Sequence, residues 1–454
     1  MTNKKMEDLL FSSIDEVRSG YEAREVSPVE VLEATLTRLE ELEPRLNAFV
    51  TVLPEAARKQ AEEAEARFLR NEPAGELAGI PVSLKDLFAT KGVRTSMGSR
   101  IMKDHVPDRD SYVYSALRRA GAVVFGKNNM LEFAYGFVHP DYGQCNNPWN
   151  THRTSGGSSS GSASSVAAGI GYASVGTDTG GSIRIPASYC GIVGLKPTQD
   201  TVSREGCFPL SHTLDEVGPL TRTVGDCATL MRVLAPGQAN LDHTHFGDRV
   251  SGVKVGLIES SFRRPPELEV SVLVESAVGR LRDLGAEIEG VEIPDLETLA
   301  WAALKILLSE ASYHHKSWYP ERADDYADGT RANVAAGFDV SAVDYLMALR
   351  ERRRFTRIVD GLLRDFDVLV SATVPFPAPE KDPEFGQEAL DEAERTLPFN
   401  FTGHPAITIP VGNTASGNLP VGMQLVAACN DERTLSRTAK AYEKAAVGYR
   451  RPPT

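Results

Sequence analysis

Residues 156–196 read GGSSSGSASSVAAGIGYASVGTDTGGSIRIPASYCGIVGLK. The segment is nearly uncharged and dense in glycine and serine, a composition shared with flexible linkers. Apolar runs interrupt it, however: Val166, Ala167 and Ala168, then Ile170, Tyr172, Ala173 and Val175. That pattern predicts a turn, a small-residue helix, a strand, a second turn and a second helix. A stretch so apolar belongs inside a fold, where its glycines mark strained backbone or close approach.

Two serines here, Ser158 and Ser182, each follow a Gly-Gly pair. Serine alone is a weak nucleophile and needs a base, yet no histidine lies between them. A different base stands upstream in AGIPVSLKDLF (residues 78–88), where Lys85 follows the apolar, strand-like run Ile80–Leu84. Burying an ammonium is unfavourable. Desolvation lowers a lysine pKa and leaves a neutral amine able to act as a base.

These residues resemble the amidase signature family. Lys85 in GIPVSLKD, Ser158 in GGSSSGS and Ser182 in GTDTGGSIRIPASYCGIVGLKP match its Ser-cisSer-Lys triad in context and spacing. The likeness continues through KPT (196–198), GPLTRTVGD (218–226), NFTGHPAITIPVG (400–412) and LPVGMQLV (419–426), so it spans nearly the whole chain. Ser160 departs from it, standing where the family usually has glycine. The resemblance implies an α/β fold, the amidase signature fold, with a central twisted mixed β-sheet flanked by α-helices. It also implies Ser182 as nucleophile, Ser158 as proton relay, Lys85 as base and a cis peptide between Gly157 and Ser158. Ser182 sits at a glycine-rich turn opening a helix, where backbone N–H groups converge. The amides of Thr179, Gly180, Gly181 and Ser182 are therefore the expected oxyanion hole. Asp178 and Arg184 match charged positions of the family pattern and are expected to hold the turn. GKNNMLEFAYG (126–136) resembles the family segment bordering the acyl pocket, which implicates Met130, Phe133 and Tyr135 in substrate binding, with plain core packing as the alternative.

The chain has 454 residues and a formal charge of −13, which argues against nucleic acid and anionic membrane surfaces as partners. Five scattered cysteines with no CxxC pair indicate neither a metal site nor a disulfide framework, and fit a cytoplasmic protein. The N-terminus lacks a signal-peptide core, and no stretch approaches transmembrane length. No cofactor and no metal are expected. His314-His315 is a tempting metal pair, but adjacent helical residues point to different sides. The Gly-rich stretch has neither the Gly-Lys-Ser/Thr of a phosphate loop nor a dinucleotide fingerprint.

Taken in order, helices are expected over 6–19, from Ser27 to about Leu42, and over about 55–70. Together they form an N-terminal helical layer (1–75) packed on the main body (76–454). Strands are expected at 79–84 and 122–125, and residues 146–154 and 201–222 read as mostly loop. Strand–helix–strand alternation from Val253 argues for largely parallel strands. A helical insertion, about 297–364, is rich in aromatics, and two strands (405–412, 419–428) precede a closing helix. Three functions follow. The first is a free-standing amidase hydrolysing a small carboxamide or anilide through an acyl-Ser182 intermediate, with a homodimer expected by analogy. The second is the glutamine-hydrolysing subunit of a tRNA-dependent amidotransferase. The third is a non-catalytic binding protein, which would need a lesion in the triad that the sequence does not have. The aromatic insertion suits an apolar or aromatic acyl group better than glutamine, and the pocket loops are expected at roughly 126–145 and 300–395.

Overall fold

The computed structural model describes residues 3–237, 241–247, 249–258, 262–382, 387–446 and 449–453. In chain order the strands are β1 (Phe49–Val52), β2 (Pro81–Lys85), β3 (Val123–Asn128), β4 (Asn146–Asn147), β5 (Asn150–Thr154), β6 (Ala173–Asp178), β7 (Val193–Lys196), β8 (Glu216–Thr221), β9 (Lys254–Ile258), β10 (Glu287–Val291), β11 (Val368–Ala372), β12 (Ala406–Asn413) and β13 (Pro420–Ala427). Among the described residues, eleven of them make one mixed sheet in the order β1-β3-β2-β6-β8-β7-β12-β13-β11-β9-β10, and β4 and β5 form a separate hairpin. Parallel pairing is confined to β3-β2-β6 on one flank and β11-β9-β10 on the other. The centre, β6-β8-β7-β12-β13-β11, is antiparallel, so the expectation of largely parallel strands is corrected.

β2, β3 and β6 are buried at every position, so their apolar residues do not alternate with solvent-facing ones, and the polar side chains near their ends, Lys85, Lys127, Asn128, Thr177 and Asp178, are buried too. Central β8, in a stretch read as loop, was hidden by its Gly218 and Pro219. A Cβ at Gly218 would lie 2.0 Å from the Leu195 carbonyl oxygen, so only glycine fits that crowded ladder. β7 pairs with residues 220 and 221, leaving the donor-less Pro219 beyond its ladder. The expected helix over 6–19 is two helices, Asn3–Leu10 and Ile14–Glu22, because Ser13 and Glu16 close a capping box that starts a new helix. Ser27 and Glu30 close another ahead of Pro28–Leu46.

Helix Ser160–Ala167 is buried throughout, and its small residues let it lie against neighbouring backbone. A Cβ at Gly161 would stand 2.1 Å from the Ala48 carbonyl oxygen. Helices Leu296–His315, Asp328–Phe338 and Ala342–Asp365 make up the insertion. Among the described residues no helix is long and apolar enough to cross a membrane.

Candidate active site

β2 and β6 are parallel neighbours with Leu84 opposite Val175, so Lys85 at the end of β2 lies beside Thr177 and Asp178 at the end of β6. Carboxyl ends of parallel strands are where α/β sheets hold their ligands. Lys85 is fully buried. Its Nζ lies 2.7 Å from Ser158 Oγ, 2.8 Å from Thr177 Oγ1 and 3.4 Å from the Thr177 carbonyl oxygen. Burial pushes the Lys85 ammonium down to about 7, against the opposing pull of Cys207, Asp178 and Asp215. Near neutrality a large share of this lysine is therefore an uncharged amine.

Ser158 follows a cis peptide from Gly157, as the resemblance implies, and stands two residues before helix Ser160–Ala167. Ser159 ties its turn to the other one: its N–H donates to the Ser182 carbonyl (3.2 Å) and its Oγ donates to the Thr177 carbonyl (3.1 Å). The hydroxyl of Ser160 is buried with no partner among the described residues.

Ser182 ends the glycine turn ahead of helix Arg184–Cys190. Asp178 organises that turn. Its carboxylate accepts from the Gly181 N–H (2.8 Å) and the Ile183 N–H (3.1 Å), and both its oxygens accept from the Arg184 guanidinium, at 2.9 and 3.0 Å. Arg184 also donates to Gln424 Oε1 (2.6 Å), Asn400 Oδ1 (2.6 Å) and the Thr396 carbonyl (2.9 Å), so one buried cation ties the turn to two distant segments, 396–400 and β13. Burial would raise the Asp178 carboxyl, but Arg184 beside it outweighs that and holds it down to about 2. Thr179 Oγ1 donates to Asp215 (2.6 Å) and Thr396 Oγ1 donates to the Gly180 carbonyl (2.6 Å). Of the four amides expected to face an oxyanion, Gly181's is directed to Asp178 instead. Gly181 has φ +136°, and a Cβ there would stand 2.3 Å from Thr396 Oγ1.

A cavity of about 170 Å³ opens over these turns, with Gly157, Ser158, Thr179, Gly180 and Ser182 in its lining. Of the three side chains expected at the acyl pocket, Tyr135 lines it. Met130 and Phe133 do not: both are buried in the main core, Phe133 among Phe208, His315, Trp318 and Tyr326. His315, Trp318 and Tyr326 of the insertion thus serve packing and do not line the cavity, and its helix Leu296–His315 gives the cavity aliphatic side chains, Ala300, Ala303, Leu304 and Leu307. His315 belongs to that core: its Nδ1 is 3.0 Å from Tyr326 Oη, and burial lowers it to about 3. The sequence placed pocket loops within roughly 300–395 without singling out Asn333, Asp382 and Glu392 there, which no motif contains, and it passed over Thr177, inside the GTDTGGS motif.

The amidase family model matches residues 30–435. The chain belongs to the amidase signature family. A glutamyl-tRNA(Gln) amidotransferase subunit from Methylococcus capsulatus is 36% identical, over 97% of this chain and 98% of that protein. The solved structure of a bacterial aryl acylamidase of the amidase signature family superposes with a TM-score of 0.85 at 27% identity, covering 96% of each chain. The peptide amidase of Stenotrophomonas maltophilia superposes at 0.82 with 28% identity, covering 97% of this chain and 98% of its own. This is a family of C–N hydrolases, and the fold and the amide chemistry are this chain's as well.

Proposed function

We propose that the chain hydrolyses a small carboxamide or anilide to a carboxylate plus ammonia or an amine, through an acyl-Ser182 intermediate. The observation that carries this reading is the buried Lys85 Nζ, 2.7 Å from Ser158 Oγ, beneath a cavity that Ser158 and Ser182 both line. When Lys85 is neutral, its N–H bonds are drawn to the two Thr177 oxygens and its lone pair is left for the Ser158 hydroxyl. Ser182 Oγ attacks the carbonyl carbon. Its proton passes to Ser158 Oγ, whose own proton passes to Lys85 Nζ. Backbone amides of Thr179, Gly180 and Ser182 receive the oxyanion, each donor lowering the barrier by about 3 kcal/mol. Collapse breaks the C–N bond, and the leaving nitrogen takes the proton back through Ser158. Water then attacks the acyl carbon, delivers a proton into the same relay, and releases the acid as Ser182 is reprotonated. Asp178 and Arg184 stand outside these steps and fix the turn.

A second reading, a glutamine-hydrolysing subunit of an amidotransferase, draws on the 36% identity to the Methylococcus protein. Two measurements separate the readings. A phosphonyl fluoride should label Ser182, and simple aryl and alkyl amides should release ammonia or amine at rates that vanish in Ser182→Ala. Turnover of glutamine above all other amides, with partner chains co-purifying, would replace the first reading by the second. Full activity in Ser182→Ala would remove the nucleophile from both.

A further inference from the structure

Four polar side chains that the mechanism does not use also line the catalytic cavity: Tyr135, Asn333, Asp382 and Glu392. Asp382 is held through one oxygen, which accepts from Thr154 Oγ1 at 2.6 Å. Glu392 is likewise held through one, which accepts from Tyr189 Oη at 2.8 Å. Among the described residues nothing donates to the second oxygen of either. The two carboxyls are close enough that the charge on Asp382 makes Glu392 harder to ionise, adding to the effect of burial. On the same cavity, Asn333 Nδ2 and Tyr135 Oη are buried hydrogen-bonding atoms with no partner among the described residues, at 2% and 4% residue exposure. Native structures leave such atoms unmatched rarely, and four unanswered polar groups around one cavity describe the outline of a missing ligand. No cationic side chain stands among the described residues lining that cavity.

We propose that this cavity selects amides that carry an amino group or another hydrogen-bond-donating base, received between Asp382 and Glu392, and turns away those that carry a free carboxylate. The inference rests on the amidase reading and narrows its substrate class. A basic nitrogen would give the two carboxyl oxygens the donor they lack. The Asn333 amide and the Tyr135 hydroxyl would donate to an acceptor on the same molecule, while the aliphatic wall packs its chain. A carboxylate would meet the charge of Asp382, would be one more anion beside Glu392, whose ionisation is already opposed, and would find no counter-ion, an arrangement that like charges make unfavourable.

The test compares three competitors of equal length on the whole chain: 6-aminohexanamide, hexanamide and adipamate, the corresponding half-amide with a free carboxylate. Each is titrated against phosphonyl fluoride labelling of Ser182, so binding is read whether or not the competitor turns over. The amino compound should halve labelling at a concentration about tenfold below that of hexanamide, the scale of a charge-assisted hydrogen bond, and adipamate should protect least. Glu392→Gln should bring the amino compound to within about threefold of hexanamide. Equal protection by hexanamide and 6-aminohexanamide in the unaltered protein, or best protection by adipamate, overturns the proposal while the amidase reading stands. Failure of the reagent to label Ser182 at all removes the amidase reading itself, and the inference with it.

Discussion

Asp178, beneath the floor of the cavity, and Glu392, on its wall, are carboxyls in one small neighbourhood, yet their surroundings drive them apart. Burial would raise the Asp178 carboxyl, but Arg184, helped by Lys196 and Asn400, holds it down to about 2, and backbone N–H groups also bond its oxygens. Burial, with Asp382 nearby, pushes Glu392 up to about 8, and Tyr189 answers one oxygen. The floor is thus complete without substrate: its groups are oriented before anything binds, as electrostatic preorganisation requires. The wall is incomplete until a ligand supplies what Asn333, Tyr135, Asp382 and Glu392 lack. One half of the site is built for chemistry and the other for recognition, and substitutions should tell them apart.

The largest effect belongs to the floor. Ser182→Ala should lower kcat on the order of 10⁴-fold or more, as loss of a nucleophile does elsewhere, measured by amine release with the best amide. Next comes Arg184→Leu, which leaves Asp178 buried and unpaired. Breaking a buried pair from one side costs about 3–5 kcal/mol, to be read from urea unfolding. A loss below 1 kcal/mol would mean that the floor is not held by this ion pair and that the contrast with the wall is misdrawn.

How legible each half was follows the same division. Lys85, Ser158, Ser182, Asp178 and Arg184 lie in short contiguous motifs, because the ends of β2 and β6 and two glycine turns carry them. Asn333, Asp382 and Glu392 are remote from the motifs and from most of one another in sequence, and reach the cavity only through tertiary packing of the helical insertion and the segment before β12. Met130 and Phe133 misled because an apolar residue beside a motif fits core and pocket equally well. Phe133 takes φ +48° and turns into the aromatic core, which no local pattern announces. β8 was missed for the opposite reason: Gly218 and Pro219 carry loop chemistry in a position that only close packing against Leu195 explains.

Lys85 sharpens the comparison through pH. Its pKa lies at about 7 in the folded protein and the relay needs the neutral amine, so kcat/KM should rise about tenfold per pH unit below 7 and level off above it. A profile flat from pH 5 to 9 would exclude Lys85 as the titrating base. Thr177→Val should shift that limb by less: the lost hydroxyl accepts from Lys85 Nζ at 2.8 Å and so favours the ammonium. Its removal should lower the Lys85 pKa, moving the limb to more acidic pH by about one unit or less, since one such bond is worth about 1 kcal/mol. A shift to higher pH would mean that Thr177 acts on the amine in some other way.

The smallest expected effect on stability falls on one of two buried asparagines, Asn333, set against Asn400. Asn400 Nδ2 donates to the Asp178 carbonyl and carboxylate, both at 2.9 Å, and Asn400 Oδ1 accepts from Arg184 at 2.6 Å. Asn333 Nδ2, on the wall, has no partner among the described residues. Replacing either by leucine removes an amide of similar size. Asn400→Leu strands two charged neighbours and should cost about 2 kcal/mol or more of unfolding free energy. Asn333→Leu removes a group whose desolvation is uncompensated, so its unfolding free energy should stay within about 1 kcal/mol of the parent or rise. Its effect should appear as a higher KM instead. Equal losses of stability in the two variants would show that the wall, like the floor, is completed by the protein itself, and the division of the site into a finished half and an open half would fall.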